Sequence, residues 1–123
     1  MLDLAERFFA AIEAADMDAI RACYAPEARI WHNFDGVEQT VEENLKVLVW
    51  MIPRLVNKRY DVVRREVLPN GFMQQHVLHG ELQDGRPFAM PACVICQISE
   101  GRITRLEEYL DTGQSSALRE SKP

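Results

Sequence analysis

The sequence predicts an α+β fold: three helices from the N-terminal half close a pocket against a cone-shaped, curved, mixed or antiparallel sheet. Two observations carry this reading. Apolar residues recur at helical spacing through the first half, and the second half breaks into four apolar-rich segments divided by glycine-containing turns. Between the halves, Trp31-His32-Asn33 places polar side chains in the first strand, where a curled sheet leaves a pocket with few ionisable groups.

Ala5, Phe8, Phe9 and Ile12 fall at i, i+3, i+4, i+7, the stripe of an amphipathic helix. Asp16 is placed to cap a second helix from Met17 to Tyr24, which Pro26 stops. Residues 28–33 read as a strand ending at the turn Asp35-Gly36. Thr40 sits three residues before Glu43, a capping box that opens a third helix. Leu45, Leu48, Val49, Ile52 and Val56 form its stripe, and Pro53 kinks or shortens the last turn. The strands then run Tyr60–Leu68, Phe72–Gln83, Pro87–Ser99 and Arg102–Leu110, an antiparallel meander joined at Asn-Gly, Asp-Gly and Glu-Gly. Pro91 predicts a bulge or a local break in pairing, because proline cannot donate to a ladder. Residues 112–123 read as a polar, frayed tail with at most a short turn at Ala117-Leu118.

The 123 residues suit one domain, bounded at 1–111, with the tail following. Hydrophobic residues make up 47%, enough for a core that needs no metal or disulfide staple. The net charge of -5 argues against nucleic acid or an anionic membrane as the main partner. No apolar run is long enough to span a bilayer, and Asp3, Glu6 and Glu13 are out of place in a secretory signal. Three cysteines, an odd number, point to free thiols and a cytoplasmic location. Cys93 and Cys96 form C-x-x-C, but in a strand their side chains point to opposite faces, so they read as small buried residues. The strand around them is apolar on both faces. Its outer face needs a cover, and a second copy in a homodimer is the simplest one.

The order of elements resembles the nuclear transport factor 2-like superfamily, in its SnoaL-like and ketosteroid isomerase-like branch, a cystatin-like roll. The stretches carrying the likeness are Arg7–Ile12, Asp16-Met17-Asp18, Tyr24–Ala28, His32-Asn33 before Asp35-Gly36, Asp84-Gly85-Arg86, Met90-Pro91-Ala92, and Gly101-Arg102-Ile103 leading into Glu108–Asp111. The resemblance implies a small-molecule enzyme of isomerase, cyclase or lyase type. At the places where ketosteroid isomerases hold an oxyanion-binding tyrosine, a general-base aspartate and a second acid, this chain has Phe8, His32 and Cys93. At the arginine and two aspartates of limonene epoxide hydrolase-like enzymes it has Gln75, Val77 and Glu108. SnoaL-like cyclases are similar in needing an acid or base on the last strand, where Glu108 stands.

An imidazole titrates near neutral pH and suits proton transfer. Ala28 and Ile30 share the face of His32, which points it inward. Glu108 lies between Leu106 and Leu110 on one face, and a carboxylate there needs a partner. The expected catalytic pair is therefore His32 as general base with Glu108 orienting it; the opposite register would turn Glu107 inward instead. Phe8, Tyr24, Ile30, Trp50, Gln75, Val77, His79, Met90 and Cys93 are the expected ligand contacts. No glycine-rich phosphate loop, nucleophile elbow or metal-ligand cluster appears, so no cofactor and no metal are expected. The expected ligand is a small apolar carbonyl or cyclic metabolite. The rival readings are a ligand-binding domain without catalysis and an accessory dimer.

Overall fold

A computed structural model describes residues 2–120. The chain runs α1 (Leu2–Glu13), α2 (Met17–Cys23), β1 (Tyr24–His32), β2 (Glu38–Gln39), α3 (Val41–Met51), β3 (Leu55–Leu68), β4 (Gly71–Leu82), β5 (Pro87–Ser99), β6 (Arg102–Leu110) and α4 (Thr112–Glu120). One curved sheet has the order β2-β1-β6-β5-β4-β3. Its ladders are antiparallel except β1 with β6, which is parallel. The α+β cone expected from the sequence is the fold observed.

The helices begin where their caps dictate. The Asp16 carboxylate accepts the Ala19 N–H at 3.1 Å and starts α2. At α3, Thr40 Oγ1 accepts from Glu43 N at 3.2 Å while Glu43 Oε1 accepts from Thr40 N at 2.9 Å, a complete capping box. Pro53 ends α3 at Met51 and leaves a short 3-10 turn, Ile52–Arg54. Leu4, Ala5, Phe8, Phe9 and Ile12 of α1 are buried against the sheet, so the predicted stripe is the helix's inner face.

Four expectations are corrected. First, β1 starts at Tyr24 rather than residue 28; its register shifts between Tyr24 and Arg29, and Pro26 sits in that irregular stretch. Second, β3 starts at Leu55, five residues early, which brings Tyr60 well inside the strand. Third, of the bulge or break expected at Pro91 only the break occurs: β5 stays in register with β4 through Val77–Pro91, while its pairing with β6 stops at Ala92. The Pro91 carbonyl accepts from Asp111 N beyond the last β5–β6 pair, Ala92–Leu110, so the missing N–H falls where the ladder has ended. Fourth, residues 112–120 are a helix and not a frayed tail. Asp111 Oδ1 accepts from Gly113 N at 2.9 Å and Gln114 N at 3.3 Å, and Ser115 and Leu118 are buried. The tail's last residues, 121–123, lie outside the described residues.

The concave face of the sheet carries Phe72, Leu78, Phe88, Met90, Val94 and Leu106, all buried. Helices cover that face, and a hollow remains among them.

Candidate functional site

The hollow is a cavity of about 480 Å3 between the concave sheet, α1, α3 and α4. That volume suits one small organic ligand. Phe8, Tyr24, Ile30, Leu78, Met90 and Val94 make its wall largely apolar. His32 and Glu108 are the ionisable pair inside. Residues 32 and 108 are direct neighbours in the parallel β1–β6 ladder, so both side chains leave the sheet on the same face. His32 Nε2 lies 3.1 Å from Glu108 Oε1. Asn33 fastens the end of this ladder: its Oδ1 accepts from Leu110 N at 3.0 Å and its Nδ2 donates to Leu110 O at 3.4 Å. Asn33 thus holds the register that brings the two groups together. The Glu108 side chain is 19% exposed and the His32 side chain 10%. His32 Nδ1 is buried without a hydrogen-bond partner. The carboxylate is therefore the more open member of the pair.

The charge on Glu108 reaches much of the cavity floor. Burial, and secondarily Cys96 and Glu108, push the Tyr24 phenol well above its ordinary range. Burial and then Glu108 do the same to Tyr60. Both phenols stay protonated and available as donors.

His76 sits behind Tyr60, ring centroids 4.7 Å apart. Arg65 Nε donates to Gln74 Oε1 at 2.7 Å, which turns the Gln74 amide nitrogen to His76 Nδ1 at 2.8 Å. An amide nitrogen only donates, so His76 accepts at Nδ1 and carries its proton on Nε2. Burial lowers the His76 pKa below 6.5, Glu108 opposes the shift, and Arg65 adds to it. The unfolded chain therefore binds more protons than the folded one just below pH 6.5, and stability falls as pH drops through that range. His76→Gln is expected to flatten the loss of urea midpoint between about pH 7.5 and 5.5. An unchanged slope in the variant would show that His76 is not held neutral.

Among the described residues, no group of three His, Cys, Asp or Glu side chains is arranged to hold a metal ion. The SnoaL-like domain family matches residues 5–106. The chain belongs to this family. With it comes the nuclear transport factor 2-like superfamily that the sequence resembles. A putative polyketide cyclase from Streptomyces antibioticus, IdmH, superposes with a TM-score of 0.83 at 19% identity, over 95% of this chain and 96% of that one. A hypothetical protein from Catenulispora acidiphila with a ketosteroid isomerase-like fold, in complex with trimethylamine, gives 0.80 at 15%, over 94% and 90%. An LEH-like epoxide hydrolase from M. tuberculosis gives 0.75 at 15%, over 94% and 86%. At these identities the likeness establishes the fold. No curated protein matches the chain.

Within this SnoaL-like cone, Phe8, Tyr24, Ile30, Trp50 and Met90 line the cavity together with His32 and Glu108. Gln75, Val77, His79 and Cys93 do not. Strand β4 turns Gln74, His76 and Leu78 inward, and period two sends Gln75, Val77 and His79 to the convex face. There His79 Nε2 lies 3.8 Å from Asp61 Oδ2, and Gln75 stands between Arg64 and Cys93 in the ladder. Met90 and Cys93 are three residues apart on one strand, so no register puts both in the cavity; Met90 is inside. On β6 the inward carboxylate is Glu108, while Glu107 pairs with Arg105 at 3.1 Å. Sequence reasoning missed Tyr60, Ser115, Leu118 and Arg119 as cavity wall. Asp111 ahead of Thr112 was the signal for α4, an N-cap residue before a helix.

Proposed function

We propose that this SnoaL-like protein is a small-molecule enzyme. It binds an apolar carbonyl-bearing or cyclic metabolite in the cone and moves a proton on it, as an isomerase, cyclase or lyase does. The observation that carries the reading is the His32–Glu108 pair, 3.1 Å apart in a cavity whose wall is largely apolar. A neutral imidazole that donates Nε2–H to Glu108 keeps its Nδ1 lone pair, but Nδ1 is walled off. The ligand therefore meets the carboxylate. Glu108 takes the proton, and His32, cast by the sequence as the base, is the positioning residue that fixes its orientation. Tyr24 and Tyr60, kept protonated, are donors for the oxygen on which negative charge develops.

Proton abstraction has a readout that needs no known product. Wild-type protein incubated in D2O with a panel of small cyclic ketones is expected to exchange α-hydrogens faster than buffer, followed by NMR. Ligands that bind without any catalysed exchange would leave a ligand-binding domain, the rival reading.

The convex face supports a second part of the proposal. Trp31 and Tyr109 stack edge to face at 5.2 Å there, and Tyr109 is 47% exposed beside partly exposed Val77, Cys93 and Ile95. A second copy of the chain covers this face. Ile95→Arg with Tyr109→Glu is expected to halve the mass measured by light scattering; a wild-type monomer would end the idea. The free thiols Cys23, Cys93 and Cys96 fit a reducing compartment such as the cytoplasm.

A further inference from the structure

The mouth of the cone differs from its floor in the sign of its charge. Lys46 on α3 and Arg119 on α4 both line the cavity and are exposed at its rim. Neither forms an ion pair among the described residues. Arg119 is steadied instead by hydroxyls: Nη1 donates to Ser115 Oγ at 3.1 Å and Nη2 to Ser116 Oγ at 3.0 Å. These contacts hold the guanidinium in place without cancelling its charge. One carboxylate, Asp35, shares the rim, and its Oδ1 already accepts the Val37 N–H at 3.0 Å. Glu42 and Glu43 stand one turn away on α3; the first is paired with Arg21 and the second is engaged in the capping box. Among the charged side chains that line the mouth, Lys46 and Arg119 outnumber Asp35, on a chain whose total is -5. Glu42 and Glu43 do not line it, though both act electrostatically on Lys46 from its own helix. The floor carries Glu108.

We propose that the ligand is an amphipathic organic acid. Its anionic group, a carboxylate in a metabolite, stays at the mouth with Lys46 and Arg119, and its uncharged apolar end goes down to Glu108. This rests on the reading of the cone as a ligand site and adds the ligand's charge and direction. A carboxylate entering first would meet Glu108 in a low-dielectric floor, where like charges repel most strongly. The same group at the rim meets two cations and keeps its remaining hydration. The two ends thus select one orientation, with the reacting carbon at the floor.

A matched pair of fluorescent probes tests this: 1-anilinonaphthalene-8-sulfonate, and N-phenyl-1-naphthylamine, the same skeleton without the anion. A Trp31→Phe background leaves Trp50 at the cavity as the sole tryptophan, so its quenching reports binding there. Lys46→Gln with Arg119→Gln is expected to weaken the sulfonate by about fivefold while the neutral probe changes by less than about twofold. Added salt should weaken the sulfonate on the parent protein and have little effect on the variant. If the neutral probe binds and the sulfonate ignores the substitutions, the anionic ligand is wrong and the cone site stands. If neither probe quenches Trp50, the cone site falls, and this inference with it.

Discussion

Glu108→Gln is expected to slow catalysed hydrogen–deuterium exchange by about 10³-fold, a loss typical of removing a general base. The amide has nearly the shape of the carboxylate, and its oxygen still accepts His32 Nε2–H at the 3.1 Å contact, so the β1–β6 register survives. What disappears is the group that takes the proton. His32→Leu removes only the donor that aims the carboxylate, and about tenfold is expected, with partial rescue in His32→Gln, which keeps an N–H. Because His32 acts through Glu108, adding His32→Leu to Glu108→Gln should cost almost nothing more. A larger loss at position 32 than at 108 would return the base to the imidazole. Unchanged urea midpoints in all variants would show that these are losses of chemistry and not of fold.

Both partners of this pair were visible in the sequence because each breaks a local rule. His32 stands on the apolar parity of its strand with Ala28 and Ile30, and Glu108 stands on that of Leu106. Polar groups in such positions need a partner, and the two needs answer each other. The helix starts were legible for the same kind of reason, since Asp16, Thr40 and Glu43 satisfy backbone donors that local geometry leaves orphaned.

Strand β4 was harder to read. Both of its parities carry apolar and polar residues, Met73 and Val77 against Phe72 and Leu78, so composition did not fix which face turns inward. The family likeness drew Gln75 and Val77 inside. The deciding fact is tertiary: Gly80 lies under Leu55, which leaves room for no side chain there and puts its parity, with Gln74, His76 and Leu78, on the concave side. Helix α4 was obscured by Gly113, Ser115 and Ser116, weak helix formers. Its stability comes from the Asp111 cap and from burying Leu118 in the cone, neither of which is a property of the segment alone.

The same register gives the largest stability effect expected outside the site. Gly71 opens β4 opposite Gln97, and a Cβ there would run into the Cys96 carbonyl, with its carbon at 2.8 Å and the Gln97 Cα at 3.1 Å. The obstacle is the backbone of a central strand, which cannot swing aside as a side chain does. Cys96 is fully buried and β5 is held on both sides, by β4 and by β6. Gly71→Ala is therefore expected to cost about 3 kcal/mol or more, at or beyond the upper end of ordinary overpacking. Gly85 is the control: no atom lies within 4 Å of a Cβ there, and only its φ of +89° opposes alanine. Gly85→Ala should cost about 1 kcal/mol, a purely conformational penalty. Urea midpoints of the two variants, measured side by side, separate the causes. Equal losses would mean that β4 and β5 do not approach as closely as this ladder requires, and the inward placement of Gln74, His76 and Leu78 would lose its footing with them.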